Sequence, residues 1–141
     1  MTRVATKGCA VLLIADETAP AAQQDTLKAI GFHVVRTPEL PCDERLLEYE
    51  SVVAVVPSIA QVGRLAARAR AQRHFGRRVL IALVPDDVPE TERRRAAASG
   101  MDAVLPASVP GRVLAAHILR RLREFPEYRC LLVPRGKRSA A

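Results

Sequence analysis

The stretch Arg78-Val-Leu-Ile-Ala-Leu-Val-Pro-Asp-Asp87, continued through Ser99-Gly-Met-Asp-Ala-Val-Leu-Pro-Ala-Ser108, decides the fold. Val79 to Val84 is an unbroken apolar run, the pattern of a strand covered on both faces of a parallel sheet and not of a half-exposed strand, which would alternate. Asp86, Asp87 and Pro89 break that strand and start a helix, where acidic residues and Pro are favoured. Arg93 to Ser99 carries the helix to Gly100, a residue suited to the left-handed conformation that ends helices. Ala103-Val-Leu105 then reads as the next strand. Together these segments make one βαβ unit.

The same grammar extends outward. Cys9 to Ala15 is a first buried strand, and Pro20 opens a helix with apolar positions Leu27 and Ile30 and a stop at Gly31. Phe32 to Arg36 is the second strand, with His33 as a strand-edge residue. Pro38 and Pro41 exclude a regular start, but Asp43 can cap a short helix containing Arg45, Leu46, Leu47 and Tyr49. Ser51 to Val56 is a third, β-branched strand, ended by Pro57-Ser58. Ile59 to Gln72 forms a helix with Ile59, Val62, Ala66 and Ala69 on one face. The last helix runs from Gly111 to about Glu124 with Leu114, Ile118, Leu122 and Phe125 as its core stripe. Five strands alternate with five helices, and right-handed crossovers then put helices on both faces of a parallel sheet. Residues 1–8 read as a flexible N-terminus, 9–125 as one domain, and 126–141 as a C-terminal extension and basic tail. Within that extension Tyr128 to Pro134 is apolar and reads as ordered, whether as an added edge strand, a cover or a docking peptide.

Composition agrees with one domain: 141 residues, 49% of them hydrophobic, suffice for a single core. Aromatic residues are only 4%, which leaves little material for stacking nucleic-acid bases. The net charge of +7 overstates the basicity of the folded body, because Arg3, Lys7, Arg135, Lys137 and Arg138 lie in the tails. Cys9, Cys42 and Cys130 lack metal-ligand spacing and suit a reducing cytoplasmic setting. His33, His74 and His117 are equally scattered. Neither a membrane-length apolar run nor a signal pattern is present.

In the order and spacing of Val11-Leu-Leu-Ile-Ala-Asp-Glu-Thr18, Leu27-Lys-Ala-Ile-Gly-Phe-His-Val-Val35 and the unit from Ile81 to Pro106, the sequence resembles the receiver domain of bacterial two-component response regulators over roughly residues 9–125. The resemblance implies an α/β, flavodoxin-like (βα)5 doubly wound sheet with strand order 2-1-3-4-5. A receiver's chemistry needs carboxylates after the first strand to hold Mg²⁺, a nucleophilic Asp ending the third, a hydroxyl after the fourth and a Lys after the fifth. These meet where the carboxyl ends of parallel strands form one crevice. At the matching positions this sequence has Ala15 with Asp16 and Glu17, then Val55, Val56 and Pro57, then Val84, then Ala107. The phosphorylation pocket is therefore expected to be degenerate. Asp16 is expected to act as a capping or solvated loop acid, and Asp86 and Asp87 as helix-start residues. No catalytic residue, metal site or cofactor is expected, and the seven glycines never form Gly-x-Gly.

What remains is binding. Receivers signal through their fourth helix, fifth strand and fifth helix, so the resemblance points to Arg93, Arg94, Arg95, Arg112, Arg120 and Arg123. Such residues suit a protein partner with an acidic surface, or a homodimer through helices 4 and 5 with Glu90, Glu92 or Glu124 across the interface. A second reading is sequence-tolerant nucleic-acid binding through Arg64, Arg68, Arg73, Arg77, Arg78 and the basic tail. A third is a binder of phosphate-containing small ligands at the strand-order switch. Membrane association is not expected.

Overall fold

A computed structural model describes residues 10–16, 19, 21–41, 48–72 and 78–124. The apolar runs form the strands β1 (Ala10–Ile14), β2 (His33–Thr37), β3 (Ser51–Val55), β4 (Val79–Val84) and β5 (Ala103–Pro106). All pair in parallel, in the order β2-β1-β3-β4-β5. This is the flavodoxin-like order expected. Every residue of β4 is fully buried, as its unbroken apolar sequence requires.

The helices are α1 (Ala22–Ile30), α2 (Val62–Arg70), α3 (Glu90–Ala97) and α4 (Gly111–Leu122). Because successive strand residues point to opposite faces, the sheet feeds two cores. Leu12, Val52, Ala54, Leu80, Ala82 and Val84 pack under α2. Val11, Leu13, Val53, Ile81 and Leu83 pack under α1 and α4. The predicted stripes appear as Val62, Ala66 and Ala69 on α2 and Leu114, Ile118 and Leu122 on α4, all fully buried. Each large aliphatic side chain so buried contributes roughly 1.5–3 kcal/mol.

Several boundaries and faces differ from the sequence reading. The first strand stops at Ile14 and the third at Val55, one residue short of expectation, yet the next amides still bond across the sheet: Ala15 N–H to Thr37 O and Val56 N–H to Leu83 O. The second strand runs from His33 to Thr37, one residue later than expected. The helix expected from Ile59 begins as a 3-10 turn (Ile59–Gln61), with the Ser58 hydroxyl accepting from the Ala60 amide. Ile30 is 46% exposed and outside the core; α1 makes its close contact with α4 one turn earlier, through Thr26. Tyr49 is not helical but buried just before β3, and its carbonyl accepts from Arg78 Nε at 2.6 Å. Cys9, the remainder of the predicted second helix at 42–47, Phe125 and the 126–141 extension lie outside the described residues.

Two glycines are required by geometry. Gly100 has φ +123°, a backbone conformation that L side chains rarely adopt, which lets the chain turn out of α3 toward β5. Gly111 begins α4 against α1, and a Cβ there would lie 2.5 Å from Thr26 Cβ. Burial pushes the Glu50 carboxyl above the usual carboxylate range, partly offset by the Ala10 amide that it accepts and by Arg78.

Gly111→Ala is therefore expected to force α1 and α4 apart and destabilise the fold by about 1–3 kcal/mol. Urea denaturation should show a lower midpoint with an unchanged slope. The double variant with Thr26→Gly should recover most of the loss.

Candidate functional site

The carboxyl ends of β1, β3, β4 and β5 converge on one edge of the sheet. Ala15, Val56 and Val84 are buried there, Val55 and Ala107 are half-buried, and Asp16 and Pro57 are exposed. The Ala107 amide donates to Val84 O at 2.7 Å and the Val56 amide to Leu83 O, so the structure brings these sequence-matched positions onto a common edge. Glu17 lies outside the described residues.

The polar atoms at this edge brace loops. Asp16 Oδ1 accepts from the Ala19 amide at 3.1 Å. Arg36 of β2 reaches over the same turn, donating to the carbonyls of Asp16 and Ala19. Asp86 Oδ1 accepts from the Ser108 amide at 3.0 Å, tying the loop after β4 to the loop after β5. Gln23 of α1 donates through Nε2 to both Ala107 O and Val109 O, at 2.8 and 2.7 Å. Gln23 and Arg36 were not singled out by the sequence reading, because their partners are backbone carbonyls that leave no side-chain signature. Among the described residues no group of three or more His, Cys, Asp or Glu stands together in a way that could hold a metal ion.

A second surface lies along β5, an outer strand of the sheet, between α3 and α4. Two adjoining furrows of about 290 and 180 Å³ share Asp102, Ala103 and His117. Arg93 and Arg94 line the first and Arg120 the second. The structure thus gathers three of the six expected arginines. Arg95 lines neither furrow, nor do Arg112 and Arg123, which stand at opposite ends of α4, about 16 Å apart along its axis. Arg93 also donates to Val88 O at 2.7 Å, and Arg94 pairs with Glu90 at 3.0 Å. Glu124 pairs with Arg121 at 3.1 Å. Glu90 and Glu124, two of the three carboxylates named for a cross-subunit interface, thus have partners within the chain. Arg78 likewise departs from the expected basic surface, being half-buried with Nε on Tyr49 O. Arg73 and Arg77 are outside the described residues.

In the sequence His117 is one of three scattered histidines. Its position three residues after Leu114 and beside Ile118 places it on the flank of the buried stripe, turned to the strand edge. Asp102 is the other residue without a sequence signal. Its side chain is 9% exposed. It accepts from the Leu80 amide at 2.6 Å and from Arg121 Nη2 at 2.6 Å, with Arg70 Nη2 at 3.4 Å.

No family model matches this sequence, nor does any curated protein. Solved structures do. The chain is similar to HP1043, an orphan response regulator of H. pylori, with TM-score 0.57 and 22% identity over 83% of this chain and 98% of that one. It is also similar to a response regulator from Desulfuromonas acetoxidans, with TM-score 0.58 and 15% identity over 82% and 97% of the two chains. This chain has the flavodoxin-like receiver fold. The furrowed surface is built by α3, β5 and α4 on one side of that fold, and the converging strand ends form the carboxyl edge of its sheet. Among the described residues no helix is long and apolar enough to cross a membrane.

Asp102→Ala is expected to leave the Leu80 amide without its side-chain acceptor and Arg121 with Glu124 alone. The two arginines are a third exposed, so the loss should be roughly 2–3 kcal/mol, below that of a fully buried pair. Chemical denaturation at low and high salt would check it, with Asp102→Asn retaining part of the stability.

Proposed function

We propose that this protein is a regulatory module that uses the receiver fold to bind a protein partner, independently of aspartyl phosphorylation. The observation that carries the reading is the edge where receiver chemistry would operate: Val55, Val56 and Pro57 close the third strand there, with Val84 and Ala107 beside them. A phosphoryl group needs a carboxylate nucleophile and cationic or hydroxyl groups to receive its charge, and these side chains offer none. Asp16 and Asp86 are held as loop braces, and Gln23 occupies the carbonyls of the loop after β5. The scaffold is retained, and the enzyme-like half-reaction is not.

The binding surface in this reading is the furrowed edge along β5, where Arg93, Arg94 and Arg120 flank His117 and the short apolar strand. Arg presents a planar donor fork and a stem that packs on apolar surface, so a partner with an acidic, partly apolar patch fits. Arg95, Arg112 and Arg123 extend the positive field around it. Cytoplasmic signalling is the matching setting. The protein is not read as an enzyme and needs no cofactor in this role. The domain is taken as residues 9–125.

Incubation with acetyl phosphate and Mg²⁺ is expected to add no phosphoryl group, as read by intact-mass spectrometry; a stoichiometric acid-labile adduct would sink the reading. Affinity capture should retain the same partner with and without acetyl phosphate. Reversal of the exposed Arg94 and Arg120 to Glu should release that partner while leaving thermal unfolding within a few degrees of the parent.

A further inference from the structure

Besides the strand-end edge and the β5 surface, the structure has a groove of about 330 Å³ lined by Ile14, Pro38, Glu39, Leu40, Val56, Gln61, Arg64, Leu65 and Arg68. It lies at the carboxyl end of the sheet between the segment leaving β2 and helix α2. Ile14 ends β1 and Val56 follows β3, and these two strands are neighbours whose chain continuations diverge, β1 toward β2 on one side and β3 toward β4 on the other. That is the switch point at which doubly wound sheets bind ligands.

The lining divides by chemistry. Ile14 and Val56 are buried and Leu40 and Leu65 half-buried, giving an apolar floor. Arg64 and Arg68 stand one helical turn apart on α2, both exposed, so their side chains share a face. Neither has a hydrogen-bond or ion-pair partner among the described residues, in contrast with Arg36, Arg70, Arg78, Arg93, Arg94 and Arg121. Two adjacent guanidiniums match the oxygens of a phosphate with charge-assisted hydrogen bonds. Opposite them, Glu39 lies two residues beyond the end of β2. An acidic residue in this region of a nucleotide-binding sheet accepts hydrogen bonds from ribose hydroxyls.

We propose that this groove binds a nucleoside monophosphate, its phosphate on Arg64 and Arg68, its base over the apolar floor and its ribose hydroxyls on Glu39. The volume is that of a small-molecule site. The carboxylate at the rim would repel an acidic peptide, and it has no role toward inorganic phosphate. This site is separate from the β5 surface and stands or falls independently of the partner-binding reading.

The test is isothermal titration of the full chain with AMP, GMP, phenyl phosphate and inorganic phosphate. Saturable binding of AMP or GMP is expected, at least about tenfold tighter than that of inorganic phosphate. Arg64→Ala and Arg68→Ala should each weaken nucleotide binding about tenfold, the scale of one lost charge-assisted contact. Glu39→Gln should weaken AMP or GMP several-fold and leave phenyl phosphate unchanged. Circular dichroism and thermal unfolding would show that these surface variants stay folded. The proposal is overturned if neither nucleotide binds saturably, if binding survives both arginine replacements, or if inorganic phosphate binds as well as the nucleotides. It is also overturned if a single-stranded oligonucleotide binds these arginines far more tightly than its mononucleotide, which would reassign the groove to nucleic acid.

Discussion

The carboxylate of Asp102 ties together layers that the core alone only stacks. Apolar burial holds helices on both faces of the sheet, but it is non-directional and does not fix how a helix is rotated or shifted along the strands. Asp102 supplies the directional part. It sits just before β5, bonds to the backbone of β4 through Leu80, and receives Arg121 from α4 on one face and Arg70 from α2 on the other. Arg70 also donates to Gly100 O and Arg78 O. A carboxylate this buried is tolerable only because its oxygens are satisfied, and its partners in turn fix where both helices end.

The two ends of the sheet are thereby given different tasks. At the amino end, Asp102, Glu50 and Arg78 join neighbouring strands and helices through groups with little freedom to move. At the carboxyl end, bracing is done by hydrogen bonds from loop to loop: Arg36 over the first turn, Asp86 to Ser108, and Gln23 to Ala107 and Val109. In a receiver-type reaction, polar groups at this end must be left for metal and phosphoryl oxygens. Here Asp16, Asp86, Gln23 and Arg36 bond to backbone amides and carbonyls, which keeps the loops around Val84 and Ala107 in place.

What could be read from the sequence was whatever depends on neighbours along the chain. The run Val79–Val84, the stop at Gly100 and the stripe Leu114, Ile118, Leu122 each carry a local period or a special backbone need, and each stands in the structure as expected. The residues at the carboxyl ends of the strands, Ala15, Val56, Val84 and Ala107, could be placed for the same reason, since strand ends can be counted. The roles of Asp102, His117, Gln23 and Arg36 were not, because each depends on contacts to elements far away in the chain. Asp102 in a sequence is one acid among many; only the chain's return through β4 and α4 makes it a buried hub. Tyr49 shows the converse error, a residue that the sequence assigns to a helix and that is buried outside any helix before β3.

The same distinction decides how the basic charge should be interpreted. A net charge of +7 treats every arginine alike, and on that basis nucleic acid would be a natural partner. In the fold the arginines separate by their neighbours. Arg70, Arg78, Arg93 and Arg121 are bonded to carbonyls or carboxylates and act as structural cross-links as much as surface charges. Arg64 and Arg68 have no such acceptor among the described residues and stand beside a groove with a polar rim and an apolar floor. Long-range attraction of a polyanion needs a field summed over many free charges, whereas recognition of one phosphate needs two donors held one turn apart. The arrangement on α2 meets the second requirement, and it does so where the strand order reverses and the sheet leaves room for the rest of a ligand.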